Sequence, residues 1–224
     1  SMKKYPTTAL LGNREESLLG YSGGWTYGSK SGSMRYTYEN LTQADFSFFK
    51  SLPAKIEIDF DGIGIFLCHG SPFASREALL PFSENTKAAL SSIESAVLIC
   101  GHTHSQYKFE YEGKLLINPG SVGVPTNNRT DAQFAVIDSA GGKVTPEFYG
   151  IAYDKTDLFE AFFKSGLDEK SGCWARAIRK LLITGRNYNV ECYRLAASLA
   201  ATDGEDEADP PERYWEAAAE MLDI

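Results

Sequence analysis

The stretch LICGHTH, ending at His104, carries two of the chain's three histidines, and the third, His69, closes the stretch IGIFLCHGSP. In both places an apolar run ends and an imidazole follows within a few residues. Asn13 stands in the same relation to the run TTALL, one residue past Gly12. Ligands gather at the carboxyl ends of strands in open α/β sheets, so Asn13, His69, His102 and His104 are expected to converge on one rim. Imidazoles and an amide oxygen suit a borderline divalent metal. Taken singly, a histidine is more often a surface or hydrogen-bonded residue than a ligand, and an asparagine after glycine is more often a turn. The shared placement at strand ends is what points to a metal. Gly12, Gly70 and Gly101 are expected to let the backbone turn sharply beside the ligands.

Those residues need a sheet to position them. TTALL over 7–11 reads as a short buried strand and REESLL as the start of a helix. The Gly-, Ser- and aromatic-rich segment 20–40 reads as one long loop. LTQADFSFFKSL reads as a helix capped by Thr42. Three hairpins are expected, the first two turning at Asp61-Gly62 and Glu112-Gly113 and the third formed by AQFAVIDSAGGKVTPEFYG. Between the first two lie a capped helix, SENTKAALSSIES, and a buried strand, AVLIC. Beyond residue 151 strand signals stop, and four helical patterns follow, the last two separated by the acidic, solvated TDGEDEADPP. The expected fold class is thus α/β, with a body over 3–150 and a helical C-terminal extension over 151–224.

Composition narrows the function. A net charge of −8 argues against a general nucleic-acid or anionic-membrane binder. No apolar run approaches the roughly 20 residues of a membrane helix, and the N-terminus has no signal-peptide pattern, so a cytoplasmic location is expected. Cys68, Cys100, Cys173 and Cys192 show no C-x-x-C spacing. The first two sit inside apolar runs, as buried thiols do.

The stretches GNRE, CHGSP, GHTH and INPGSVGVP, in that order from Asn13 onward, resemble the later motifs of the calcineurin-like metallophosphoesterases, closest to the small bacterial phosphodiesterases. The resemblance implies a two-layer β-sandwich flanked by helices, with a site for two divalent ions, commonly Mn, Fe, Zn or Ni. By position, Asn13, His69 and His102 would bind one ion and His104 the other. The implied reaction is phosphodiester hydrolysis of a small phosphoester by a metal-activated water, with Arg14 and His102 as catalytic residues. INPGSVG is expected to be structural, a Pro-Gly turn under the rim.

Two departures modify that expectation. The family's D-x-H and G-D motifs, which supply three further ligands including a bridging aspartate, do not appear ahead of Asn13. The fold is therefore expected to be N-terminally incomplete, to hold at most one ion, to be impaired as an enzyme, and to self-associate as a homo-oligomer that covers unpaired strands. The alternative is a catalytically silent binding scaffold of the same fold. The second departure is Arg14, where many members carry histidine. Arginine cannot act as a general acid near neutral pH but can hydrogen-bond a phosphate, which predicts a preference for esters with good leaving groups. An ion pair with Glu15 or Glu16 is the competing reading. Trp25, Tyr27, Lys30, Arg35 and Tyr36 likewise leave two readings open: a rim for a nucleotide or sugar phosphate, or a packed surface loop.

Overall fold

The computed structural model describes residues 7–224; the expected body start at residue 3 lies outside them. Along the chain run α1 (Asn13–Leu19), α2 (Gly32–Asn40), α3 (Gln43–Ser51), β1 (Lys55–Phe60), β2 (Ile63–Cys68), α4 (Glu84–Ser92), β3 (Val97–Ile99), β4 (Gln106–Tyr111), β5 (Lys114–Pro119), β6 (Ala132–Ala140) and β7 (Lys143–Ile151). The remaining elements are helical: α5 (Thr156–Lys164), α6 (Leu167–Lys170), α7 (Cys173–Thr184), α8 (Tyr188–Thr202) and α9 (Glu212–Met221). The chain divides into two compact units. One comprises the chain up to Tyr21 with Thr42–Gly123 and Gln133–Ile151, the other Ser22–Leu41, Val124–Ala132 and Ala152–Ile224.

The first unit is built on a five-stranded sheet of order β1-β2-β3-β5-β4. Its three central strands are parallel and its edges antiparallel. The sequence explains this division. β2 and β3 are continuous apolar runs covered on both faces, as parallel strands require, whereas β1 alternates and stays largely exposed at the edge. Phe66, Cys68, Leu98 and Leu116 pack on one face against Leu90 and Ile93 of the α4 segment. Ile63, Ile65, Val97 and Ile117 pack on the other against Ile137, Val144 and Phe148 of the two-stranded β6–β7 sheet. The result is the expected pair of sheet layers with helices alongside. Thr42 caps α3 as expected, its hydroxyl accepting from the Asp45 amide at 3.3 Å while the Asp45 carboxylate accepts from the Thr42 amide at 2.7 Å.

The hairpins turn where expected. Asp61 and Gly62 have φ of 54° and 80°, and Glu112 and Gly113 have 49° and 77°, so both central residues of each turn are left-handed, as type I′ requires. Glutamate is a poor residue for that conformation and asparagine a good one. Glu112→Asn should therefore raise the stability of the chain by about 0.5–1 kcal/mol, read as a higher urea midpoint at unchanged slope; a lower midpoint would contradict the turn.

Two expectations fail. Residues 7–11 form no strand: Thr7, Thr8 and Ala9 are exposed, and the Leu11 amide donates instead to the Pro53 carbonyl at 2.9 Å. A short apolar run becomes a strand only where a sheet edge receives it, and periodicity does not report that. Segment 20–40 is not one long loop, because Gly32–Asn40 is helical. Within the second unit Arg35 bonds Glu39 one turn on at 2.8 Å and lies over the Tyr27 ring at 4.3 Å, while Lys170 lies over Tyr36 at 4.9 Å. Lys30 pairs with Asp209 of the acidic loop at 2.6 Å. Much of this aromatic and basic set is thus engaged within its own unit, which favours the packing reading.

The second unit is otherwise helical, as expected after residue 151. Phe162 of α5 packs with Ala175, Ile178, Leu181 and Leu182 of α7. Ala196 and Ala200 of α8 lie against Trp215, Ala218 and Ala219 of α9, small residues that let the helices approach closely. Among the described residues no helix is long and apolar enough to cross a membrane.

Candidate metal centre

β2 and β3 are parallel and in register, Leu67 opposite Ile99, so their carboxyl ends leave the sheet side by side. His69 directly follows β2, and His102 follows β3 after Cys100 and Gly101. The two turns are tied by the Gly101 amide donating to the His69 carbonyl at 2.8 Å. Asn13, the first residue of α1, reaches the same place. His69 Nε2 donates to Asn13 Oδ1 at 2.8 Å, and the rings of His69 and His102 meet edge to face with centroids 5.4 Å apart. Three of the four expected ligands are therefore brought together, even though the strand expected before Asn13 is absent. His104 is near enough for its charge to bear on both other imidazoles.

The glycines act differently from expectation. Left-handed backbone falls on the histidines themselves, with φ of 61° at His102 and 58° at His104. Gly12 is instead kept bare by crowding: a Cβ there would stand 2.6 Å from the Glu15 carboxylate and 3.2 Å from His69 Nδ1. At Gly70 a Cβ would come within 2.4 Å of the Ser75 carbonyl oxygen. A left-handed non-glycine residue costs on the order of 1–3 kcal/mol unless its surroundings hold it. Asn118, at the end of β5, does the holding. Fully buried, it donates from Nδ2 to the Gly101 carbonyl at 2.6 Å and to Thr103 Oγ1 at 3.0 Å, and its Oδ1 accepts from the Gly120 amide at 3.0 Å. The INPGS stretch is thus structural, as expected, through its asparagine as much as its Pro-Gly turn.

Burial lowers the pKa of His69, with the His102 charge adding to the effect. Burial also lowers that of His102, against a hydrogen bond to the Arg76 backbone that raises it. Both rings are therefore neutral at pH 7, the form that binds metals. Two neutral imidazoles and an amide oxygen are donors of a type that suits a borderline divalent ion. Ligation through Nε2 would require the other tautomer of the neutral His69 ring, with its one proton on Nδ1. Among the described residues no three His, Cys, Asp or Glu side chains are placed to hold an ion together, so an ion here would need the Asn13 amide oxygen as well as the imidazoles. The nearby thiols do not contribute: burial pushes Cys68 and Cys100 up to about 12, leaving them protonated.

Arg14, beside Asn13, is exposed by surface area yet ringed by enough protein that desolvation, followed by the charge of Arg76, lowers its pKa. Among the described residues it forms no ion pair within 4 Å, and Glu15 and Glu16 accept instead from the Gly12 amide and the Ser75 hydroxyl. The ion-pair reading of Arg14 is therefore not what this structure contains. Sequence reasoning missed Arg76, whose guanidinium bonds Ser17 Oγ and, at 3.5 Å, the Asn13 carbonyl. It lies in an irregular stretch with no periodicity to mark it.

Known proteins share this fold. The calcineurin-like phosphoesterase superfamily domain matches residues 1–142. The uncharacterized protein MJ0912 of Methanocaldococcus jannaschii is 25% identical over 183 residues, spanning 73% of this chain and 72% of that protein. The crystal structure of the hypothetical protein PH1004 from Pyrococcus horikoshii superposes with a TM-score of 0.66 at 19% identity, covering 77% of this chain and 74% of the other. That of a metallophosphoesterase from Sphaerobacter thermophilus superposes with a TM-score of 0.55 at 18% identity, covering 72% of each. These two share the fold. With the domain match spanning more than half its length, the chain belongs to the calcineurin-like phosphoesterase superfamily.

Proposed function

We propose that this chain hydrolyses small phosphodiesters at the rim formed by Asn13, His69 and His102, in the cytoplasm, with one divalent ion as cofactor. The observation that carries this reading is the approach of Asn13 Oδ1, His69 Nε2 and the His102 ring at the carboxyl ends of two parallel strands. When bound there, a divalent ion supplies Lewis acidity to a phosphoryl group. Manganese, iron, zinc and nickel are the candidates.

The chain's own residues do the rest. Asn13 and the two neutral imidazoles would hold the ion without adding negative charge, leaving its positive charge to act on a phosphoester. Arg14 offers N–H donors to non-bridging oxygens. It keeps its protons through the neutral range, so it cannot protonate a departing alkoxide. The leaving group must leave as its own anion, which favours aryl and other stabilised leaving groups. The family resemblance would give His104 to a second ion, whereas the chain is proposed to use one.

The test is a series of diesters graded by leaving-group pKa, assayed with each metal. The chain should turn over the aryl diesters slowly and the alkyl diesters scarcely at all. Arg14→His should flatten that dependence by raising turnover of the poorer substrates about tenfold or more, since a placed general acid contributes about 10²–10⁴. The added rate should fall as pH rises through the new imidazole's pKa. No turnover with any of the four metals would instead favour the binding-scaffold reading.

A further inference from the structure

We propose that Arg14 and Arg76 form an anion seat beside the imidazoles, built to take the non-bridging oxygens of a phosphate group, with Arg76 as its fixed member. The proposal deepens the phosphoester reading and rests on it for the identity of the anion.

Arg76 is bonded at both of its ends. Its backbone is hydrogen-bonded by the His102 ring. Its guanidinium Nη2 donates to Ser17 Oγ and, at 3.5 Å, to the Asn13 carbonyl, while Ser17 Oγ itself donates to that carbonyl at 2.8 Å. A long side chain is thus held over the first turn of α1 by the residues that flank the candidate ligand. Only one nitrogen is used in these bonds, so other donors of the planar fork remain for a tetrahedral anion.

Charge supports the assignment. The chain carries 30 acidic residues against 22 basic ones, and several of its other arginines, among them Arg35, Arg129, Arg179 and Arg186, are paired with a carboxylate. Among the described residues Arg14 and Arg76 are not paired with one. They are close enough that Arg76's charge is felt at Arg14, an arrangement that repels itself until an anion is shared between the two. Glu15 and Glu16, the nearest acids, are turned to the Gly12 amide and the Ser75 hydroxyl. Next to His69 a cavity of about 370 Å³, lined also by Lys55, Ser71 and Phe73, leaves room for the organic part of an ester. Phe73 is 61% exposed.

The experiment uses the full chain, stripped of metal by a chelator and then dialysed free of it, titrated with inorganic phosphate at low ionic strength by calorimetry. Saturable binding is expected, tighter than chloride or nitrate. Arg76→Ala should weaken it about tenfold or more, and Arg76→Lys should recover part of the loss, because a point charge replaces part of a fork. Thermal melts of each variant check folding. Arg14→Ala, which leaves the Ser17 and Asn13 contacts intact, provides a second variant expected to weaken phosphate similarly. A parallel zinc titration separates the two readings. Phosphate bound without zinc keeps the seat and removes the metal site. Zinc bound with phosphate affinity unchanged in both arginine variants, or no phosphate binding by the unaltered chain, overturns the seat and leaves the metal reading standing.

Discussion

His102→Ala should take the divalent ion off this chain. The intact chain is expected to hold at most one equivalent of manganese or zinc by elemental analysis after dialysis, through Asn13, His69 and His102. Removing even an outer-shell partner of a metal ligand costs about 10–100-fold in affinity, so deleting one of three ligands should cost at least about 100-fold. Turnover should go with it. His102 is only partly buried, so the substitution removes its contact with the His69 ring and its bond to the Arg76 backbone but no core residue, and should cost only about 1 kcal/mol. Loss of metal with a normal melting curve is therefore the expected signature. Retention of the ion by the variant, or two tightly held ions in the intact chain, would show that other residues form the site.

Asn118→Ala should damage both the fold and the site, although Asn118 is not a proposed ligand. Its side chain is fully buried, and its removal takes their Asn118 partner from the Gly101 carbonyl and the Gly120 amide, and one of its partners from the Thr103 hydroxyl, which also bonds Tyr107. Each buried polar group left unsatisfied costs about 1–3 kcal/mol, with partial relief where water enters. A total loss of about 3 kcal/mol is expected in urea unfolding. The turn through His102 and His104 loses its main anchor, so metal affinity should fall about tenfold or more. A loss below about 1 kcal/mol with unchanged metal affinity would mean that the turn holds its own conformation.

How legible the site was depended on what kind of interaction placed each residue. The apolar runs of β2 and β3 announce buried parallel strands, and an imidazole just beyond each is visible in one dimension. Their adjacency is a pairing between distant segments, which the resemblance implied and the register of Leu67 with Ile99 bears out. Arg76 was invisible because the course of 69–83 is set by single hydrogen bonds. Among them, Ser71 Oγ accepts from the amides of Phe73 and Ala74 at 3.1 and 3.0 Å, and no repeat betrays such a path. The helix Gly32–Asn40 was masked by a composition rich in glycine, serine and aromatics, residues of middling or poor helix propensity. It is supported by the Arg35–Glu39 pair and by Lys170 lying over Tyr36, a partner far away in sequence. Thr7–Leu11 failed in the opposite direction: five residues suited to a strand met no receiving edge.

The three-residue strand β3 has a consequence for the order in which the molecule assembles. Each hairpin, β1–β2 and β4–β5, closes through a two-residue turn and can form in about 1–10 μs. The joints between them are parallel and span a long crossover, so their loop-closure entropy must be met before pairing rewards it. Val97, Leu98 and Ile99 bridge the two halves of the sheet, pairing with Ile65, Phe66 and Leu67 on one side and with Leu115, Leu116 and Ile117 on the other. Until that short strand docks, His69 and His102 belong to separate pieces of a collapsing chain. A cation or phosphate can then latch the finished sheet and slow its opening, but it has nothing to grip early enough to speed its formation.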